Sequence, residues 1–114
     1  LDNCILLNDK RNVTEFLNGN IFIVNEKKIK TPLLSSGCFN GIMRKKIIEL
    51  IKTKSNLEIE EIVISPFELM SSDEIWLTNS ISGIVAVSDY RKKKFSNEIA
   101  KEFVRFLNIE IENI

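Results

Sequence analysis

The sequence predicts an α+β domain: a mixed β-sheet or pseudo-barrel with flanking helices, in a single unit of 114 residues. Three observations predict it. Short β-prone runs separated by polar turns fill the first third of the chain. Two longer stretches, 42–52 and 96–107, carry apolar residues at helical spacing. Further short apolar runs lie between those stretches, so strands and helices are interspersed along the chain. A chain of this length buries roughly two-thirds of its unfolded surface, enough for one core.

Taken in order, Cys4–Leu7 reads as a strand, Asn8-Asp9-Lys10-Arg11 as a polar turn, and Asn12–Phe16 as the hairpin partner. Leu17-Asn18-Gly19 breaks the pattern before Asn20-Ile21-Phe22-Ile23-Val24, a strongly β-prone run. After Asn25-Glu26-Lys27-Lys28, Ile29–Thr31 completes a β-meander that ends at Pro32. Ser35–Arg44 is a glycine-punctuated loop feeding a helix whose buried face is Met43, Ile47, Leu50 and Ile51, with Asn40 as its expected N-cap. Leu57–Ile64 alternates in part and reads as a strand, with Glu58, Glu60 and Glu61 as a charged edge. Ser65-Pro66 opens a short helix, serine at the cap and proline at the first position. Asp73–Thr78 is a strand that Asn79–Gly83 interrupts and Ile84–Val87 resumes. Arg91-Lys92-Lys93-Lys94 reads as a solvated turn. Ser96–Leu107 is the second long helix, with Ile99, Phe103, Phe106 and Leu107 on one side, and Ile109, Ile111 and Ile114 alternate in the tail.

Composition removes several function classes. The 16 basic and 16 acidic residues cancel, so no overall field points to nucleic acid or an anionic membrane. No apolar run reaches the ~20 residues of a membrane span, and no leader-like segment opens the chain. Cys4 and Cys38 lie far apart without metal-ligand spacing, which suits a reduced cytoplasmic setting. The absence of histidine removes His-based triads, His bases and most zinc sites. Any chemistry must use carboxylates, lysines, hydroxyls, backbone amides or a cofactor. The loop at Gly37 and Gly41 supplies one such element: free amides at a helix start form an anion cradle suited to a phosphate, although every capped helix start shares that signal.

Three segments in order give that cradle a context: Asn12-Val13-Thr14-Glu15 with Asn18-Gly19-Asn20-Ile21-Phe22; Thr31-Pro32-Leu33 through Gly37 to Asn40-Gly41-Ile42-Met43-Arg44; and Ser72-Asp73-Glu74-Ile75-Trp76-Leu77-Thr78-Asn79-Ser80, closing at Val87. Together they resemble the class IV aminotransferases, pyridoxal-phosphate enzymes that include branched-chain and D-amino-acid aminotransferases and aminodeoxychorismate lyases. The resemblance runs from Ile5 to at least Val87. It implies the C-terminal, cofactor-binding domain of the D-amino-acid aminotransferase-like fold, with pyridoxal 5'-phosphate as cofactor, a small-molecule substrate and a homodimer in the full-length enzyme.

Residue by residue, the resemblance gives Glu15 the proton on the cofactor's ring nitrogen; an exposed strand glutamate is the structural alternative. It places the phosphate on the amides of Ile42 and Met43, where many relatives have threonine at the Met43 position. Ser80 matches a phosphate-binding hydroxyl and equally suits a turn serine. Phe39 matches the residue packed on the pyridine face, or is plain core. Asn79 is a polar contact to phosphate or substrate, or serves its turn. Arg44 follows the family pattern, or only balances charge on the helix surface. Cys38, beside the loop, reads as a packing residue.

The Asn-Gly-Ile-Met-Arg and Thr-Asn-Ser corners resemble the lyase more than the transaminases, implying pyruvate elimination from aminodeoxychorismate to leave 4-aminobenzoate for folate synthesis. The family's cofactor-bearing lysine sits upstream of the glutamate motif. Since Lys10 alone precedes Glu15, in a turn, the expectation is that residues 1–114 are the C-terminal part of a longer enzyme, inactive alone, with that lysine and the N-terminal domain upstream of Leu1. A stand-alone domain that binds an anion or a partner without catalysis is the alternative of another class.

Overall fold

The computed structural model describes residues 5–112, and the side chains of residues 5–108. Cys4 and Ile114, assigned above to a strand and to the tail, lie outside the described residues. The elements follow in the order β1 (Ile5–Leu7), β2 (Val13–Phe16), β3 (Asn20–Asn25), β4 (Lys28–Thr31), α1 (Ile42–Lys54), β5 (Glu58–Glu61), α2 (Pro66–Ser71), β6 (Glu74–Asn79), β7 (Gly83–Ala86), β8 (Asp89–Tyr90), β9 (Lys93–Lys94) and α3 (Glu98–Glu112), with one 3₁₀ turn at Leu34–Ser36.

A five-stranded sheet in the order β5-β4-β3-β6-β7 forms the centre. Its pairs are antiparallel except β4–β5, which is parallel and is reached through α1 as a crossover. The mixed sheet of the sequence reading is thus observed, and the meander resolves into two separate hairpins. β1 and β2 pair with each other in their own two-stranded sheet, and β3 and β4 pair within the central one. The break at Leu17–Gly19 is what separates them. The interruption at Asn79–Gly83 is a chain reversal: β6 and β7 are antiparallel neighbours, with Asn79 opposite Gly83.

β3 explains the architecture. Asn20–Val24 are all buried, so its run of apolar residues serves two cores instead of one. Period-2 alternation sends Phe22 and Val24, with Trp76 and Ile84, to the side covered by α1 and α3, where Ile47, Leu50, Ile51, Phe103 and Leu107 meet them. Ile21, Ile23 and Ile75 go to the other side, against Val13, Phe16, Ile64 and Leu69. Trp76 lies 6.1 Å from Phe22 and 5.6 Å from Phe103 by ring centroids, tilted contacts each worth about 0.5–1.5 kcal/mol beyond their area burial.

Both long helices form where their apolar spacing predicts, with Ile47, Leu50, Ile51, Phe103 and Leu107 buried and Met43, Ile99 and Phe106 partly so. The structure defines three further stretches. The tail alternation belongs to α3, which continues to Glu112. The Arg91–Lys94 turn is part of a β-hairpin: Arg91 and Lys92, at φ 52° and 69°, make the tight reversal between β8 and β9. Lys93 is anchored there by bonds to the Met70 and Ser72 carbonyls. Arg44 is only 2% exposed; it falls three residues before Ile47 and seven before Ile51, on the buried face, and donates to the Pro32 carbonyl (3.0 Å) and the Glu61 carboxylate (2.7 Å). No helix among the described residues is long and apolar enough to cross a membrane.

Candidate functional site

At one end of the central sheet the helix-facing side changes character. Along β3 the side chains on that face run Val24, Phe22, Asn20, and along β6 Trp76, Thr78. Asn20 and Thr78 are direct cross-strand partners, 4% and 1% exposed. This polar end abuts the start of α1, and between them opens a cleft of about 530 Å³, within the usual range of small-molecule sites. Its lining brings together Glu15, Phe39, Ile42, Met43, Asn79 and Ser80, from three separate parts of the chain. All six residues singled out from the sequence therefore face one cavity.

Each arrives there for a local reason. Glu15 sits in β2, opposite Leu6, and its carboxylate accepts the Phe39 amide N–H at 2.5 Å. Phe39 is 71% exposed, so its ring forms a wall of the cleft instead of core. Ile42 and Met43 are the first two residues of α1. The earliest bond of that helix runs from the Lys45 N–H to the Gly41 carbonyl (3.2 Å), which leaves the amides of Ile42, Met43 and Arg44 without an intrahelical acceptor.

The expected N-cap is corrected here. Gly41, not Asn40, occupies that position, no side chain caps it, and the first turn contains no acidic residue. The Ile42 side chain is 80% exposed, whereas Met43 packs partly into the core. Asn79 serves its turn: its carboxamide oxygen accepts from the Ile81 and Ser82 amides (3.0 and 2.7 Å), and its nitrogen donates to the Asn18 carbonyl (3.1 Å). Ser80 follows at the exposed corner of that turn.

The floor of the cleft holds two residues that lie within the motifs but were given no role there. The Asn20 side chain donates to the Phe39 carbonyl at 2.6 Å. The Thr78 hydroxyl is buried with no hydrogen-bond partner. Strand periodicity already placed Asn20 on the same face as Phe22 and Val24, and that was the available signal. Under the loop, Cys38 is buried and its thiol approaches the Leu33 and Pro32 carbonyls (3.4 and 3.6 Å). Burial pushes that thiol up from its ordinary value of 9.0, opposed by the Arg44 charge and reinforced by Glu15. The described residues contain no group of three or more potential ligands that could hold a metal.

The arrangement offers a carboxylate at one side of an apolar-walled cleft and a set of unsatisfied amides, at a positive dipole end, on another. It suits a flat ligand with a cationic or protonated edge and an anionic group.

Comparison with known proteins agrees with that description. The model of the family "Amino-transferase class IV" matches residues 1–90. The "Probable branched-chain-amino-acid aminotransferase" of Thermotoga maritima is 37% identical over 94 residues, covering 82% of this chain and 34% of its own length. The aminodeoxychorismate lyase of Vibrio harveyi is 29% identical over 85 residues, covering 75% of this chain and 31% of its own length. The crystal structure of a Thermobaculum terrenum branched-chain amino acid aminotransferase in its PLP form superposes with a TM-score of 0.88 at 25% identity, over 96% of this chain and 37% of that one. The chain thus spans about a third of the length of the relatives it matches.

Proposed function

This chain belongs to the class IV aminotransferase family, and we propose that it supplies the cofactor-binding part of a pyridoxal-phosphate enzyme. The observation that carries this reading is the convergence of Glu15, the uncapped start of α1 and Ser80 on one cleft.

The residues present fit the cofactor. The amides of Ile42 and Met43 take its phosphate, and the Ser80 hydroxyl donates to the same group. Phe39 covers one face of the ring. The Glu15 carboxylate, with one oxygen already fixed by the Phe39 N–H, holds a proton on the ring nitrogen through a charge-assisted bond. Met43 has no hydroxyl to offer, so backbone amides carry more of the anion there. Asn79 shapes the corner that presents Ser80 and reaches the ligand through its remaining N–H. Bound there, pyridoxal phosphate supplies an electron sink; the chain's own residues bind it, orient it and keep its ring nitrogen protonated.

The lysine that would carry the cofactor lies, in this reading, upstream of Leu1 in the longer protein, and residues 1–114 alone are inactive. Within the family we favour 4-amino-4-deoxychorismate lyase, which splits its substrate into pyruvate and 4-aminobenzoate, on the Asn40–Arg44 and Thr78–Ser80 corners. The 37% identity to the Thermotoga protein favours a second reading, a branched-chain aminotransferase.

One experiment separates them. The full-length protein, purified with pyridoxal phosphate, is given 4-amino-4-deoxychorismate; equal amounts of pyruvate and 4-aminobenzoate are expected. Amino-group transfer from a branched-chain amino acid to a 2-oxo acid, without pyruvate release, would replace the lyase by the aminotransferase. Failure to take up cofactor would leave a non-catalytic binding domain.

A further inference from the structure

Residue 39 is gripped from both sides. Its N–H is held by Glu15 at 2.5 Å and its carbonyl by the Asn20 Nδ2 at 2.6 Å. Asn20 has a second contact two residues on: a Cβ placed on Gly41 would lie 2.6 Å from the Asn20 Oδ1, so the glycine backbone runs directly over that carboxamide. Asn20 itself begins the central strand, is 4% exposed, and is paired across to Thr78. It is thus a fixed point, embedded in the sheet, under a loop that has no sheet bonds of its own.

We infer that Asn20 is the positioning residue of the cleft: it pins Phe39–Gly41 to the sheet and so sets where the first amides of α1 stand relative to the Glu15 carboxylate. This rests on the reading of the cleft as a pyridoxal-phosphate site and adds to it the residue that fixes its anion-binding end. The amide-to-carbonyl span of one residue links the two functional groups. Glu15 holds one side of Phe39, Asn20 the other, and α1 begins three residues later. Phosphate affinity depends on several amides converging on one point, which a displaced loop would spoil. The contact to the ring nitrogen comes from Glu15, whose backbone is held in β2 opposite Leu6, and depends on the clamp less.

The test uses the full-length apoprotein and compares its affinity for pyridoxal phosphate with that for pyridoxal, which lacks the phosphate. Asn20→Ala removes the clamp. It is expected to weaken pyridoxal phosphate by about tenfold, the size of one lost buried hydrogen bond, and pyridoxal by less than about threefold. Asn20→Asp keeps the shape but sets an acceptor against the Phe39 carbonyl, and should lose at least as much preference. Gly41→Ala pushes on the same carboxamide from the loop side and gives the ratio should either Asn20 variant fail to fold. A mere loss of fold stability would leave the ratio of the two affinities unchanged in the folded fraction. An unchanged ratio in folded variants overturns the inference. A wild-type protein that does not prefer the phosphorylated form overturns the cofactor reading instead.

Discussion

The starts of α1 and α3 lie on the same face of one sheet, and the chain treats them in opposite ways. At α3, the buried Glu74 carboxylate takes the amides of Ile99 and Ala100 (2.8 and 3.0 Å), and the Trp76 indole N–H as well (2.9 Å). The first amides of that helix are answered by a side chain of the protein itself, 2% exposed. α2 follows the same rule, with Glu68 accepting the Ser65 N–H at 3.2 Å. At α1 there is no capping side chain and no acid in the first turn, and a cleft lies where a carboxylate would stand. The difference teaches that the open end is not a failure of local design. This chain caps helices with carboxylates elsewhere, and leaves free the amides at the start of α1, which line a cleft. A chain that satisfies α3 internally gains rigidity; one that leaves α1 open keeps a place for an anion.

The largest effect is expected from breaking the closed end. Glu74→Ala strands two helix amides and an indole N–H in a buried site; at about 1–3 kcal/mol for each donor left without an acceptor, a loss of about 3 kcal/mol or more is expected. Chemical denaturation of the full-length protein measures it; a loss under about 1 kcal/mol would mean that α3 does not depend on its internal cap. The same experiment at the open end has the opposite sign. Ile42→Glu sets a carboxylate in the first turn of α1 at a residue 80% exposed, with little packing to lose. It should raise fold stability by about 0.3–1 kcal/mol through the dipole, while lowering pyridoxal phosphate affinity by at least about tenfold through like-charge repulsion. Unchanged affinity on titration would show that no phosphate docks on these amides.

A smaller effect tests the corner opposite. Ser80→Ala removes a hydroxyl worth about 0.5–1.5 kcal/mol, or about threefold to tenfold in phosphate affinity. Isothermal titration of both proteins separates the two roles of Ser80, since a residue that merely serves its turn would leave the binding constant alone and shift the melting temperature.

The contrast between the two ends also marks what could be read in the sequence. α3 was legible because Ile99, Phe103, Phe106 and Leu107 repeat at helical spacing, but its cap was not. Glu74 is 25 residues from Ile99 along the chain, and nothing local distinguishes it from Glu58 or Glu60 on the exposed edge. The cleft residues were found because the family resemblance supplied their roles; the chain alone offered only glycines before a helix. Asn40 was expected as the cap because residue type favours it, yet the helix begins one residue later and Gly41 takes the place. The surface alternative for Arg44 rests on charge alone, although its spacing to Ile47 and Ile51 places it inside. The reversal at Asn79–Gly83 reads in the sequence as a break and not as a hairpin, since strand direction is set by pairing, which one sequence does not display.

The smallest effect lies beneath the open end, at Cys38. Its thiol is desolvated under the loop, and burial raises its titration above the ordinary 9.0, with the Arg44 charge pulling the other way. The sign of the consequence follows from which state holds the proton. In the unfolded chain the thiol ionises near its ordinary value; in the folded protein it keeps its proton to higher pH. Between those two values the native state binds more protons, so stability falls as pH rises. Below 9.0 both states are protonated and the contribution is complete. The slope from one such group cannot exceed about 1.4 kcal/mol per pH unit. Comparing wild type with Cys38→Ala isolates it. The difference in unfolding free energy between the two proteins should be flat from pH 6 to 8 and should shrink above about pH 9. Binding an anion at α1 adds negative charge near the thiol, and so should push its ionisation higher still and extend that decline to higher pH, with its onset still set by the unfolded chain. A decline that is the same with and without pyridoxal phosphate would mean that the anion sits elsewhere. A difference that grows above pH 9 would mean that the native state favours the thiolate, and that Arg44 outweighs burial.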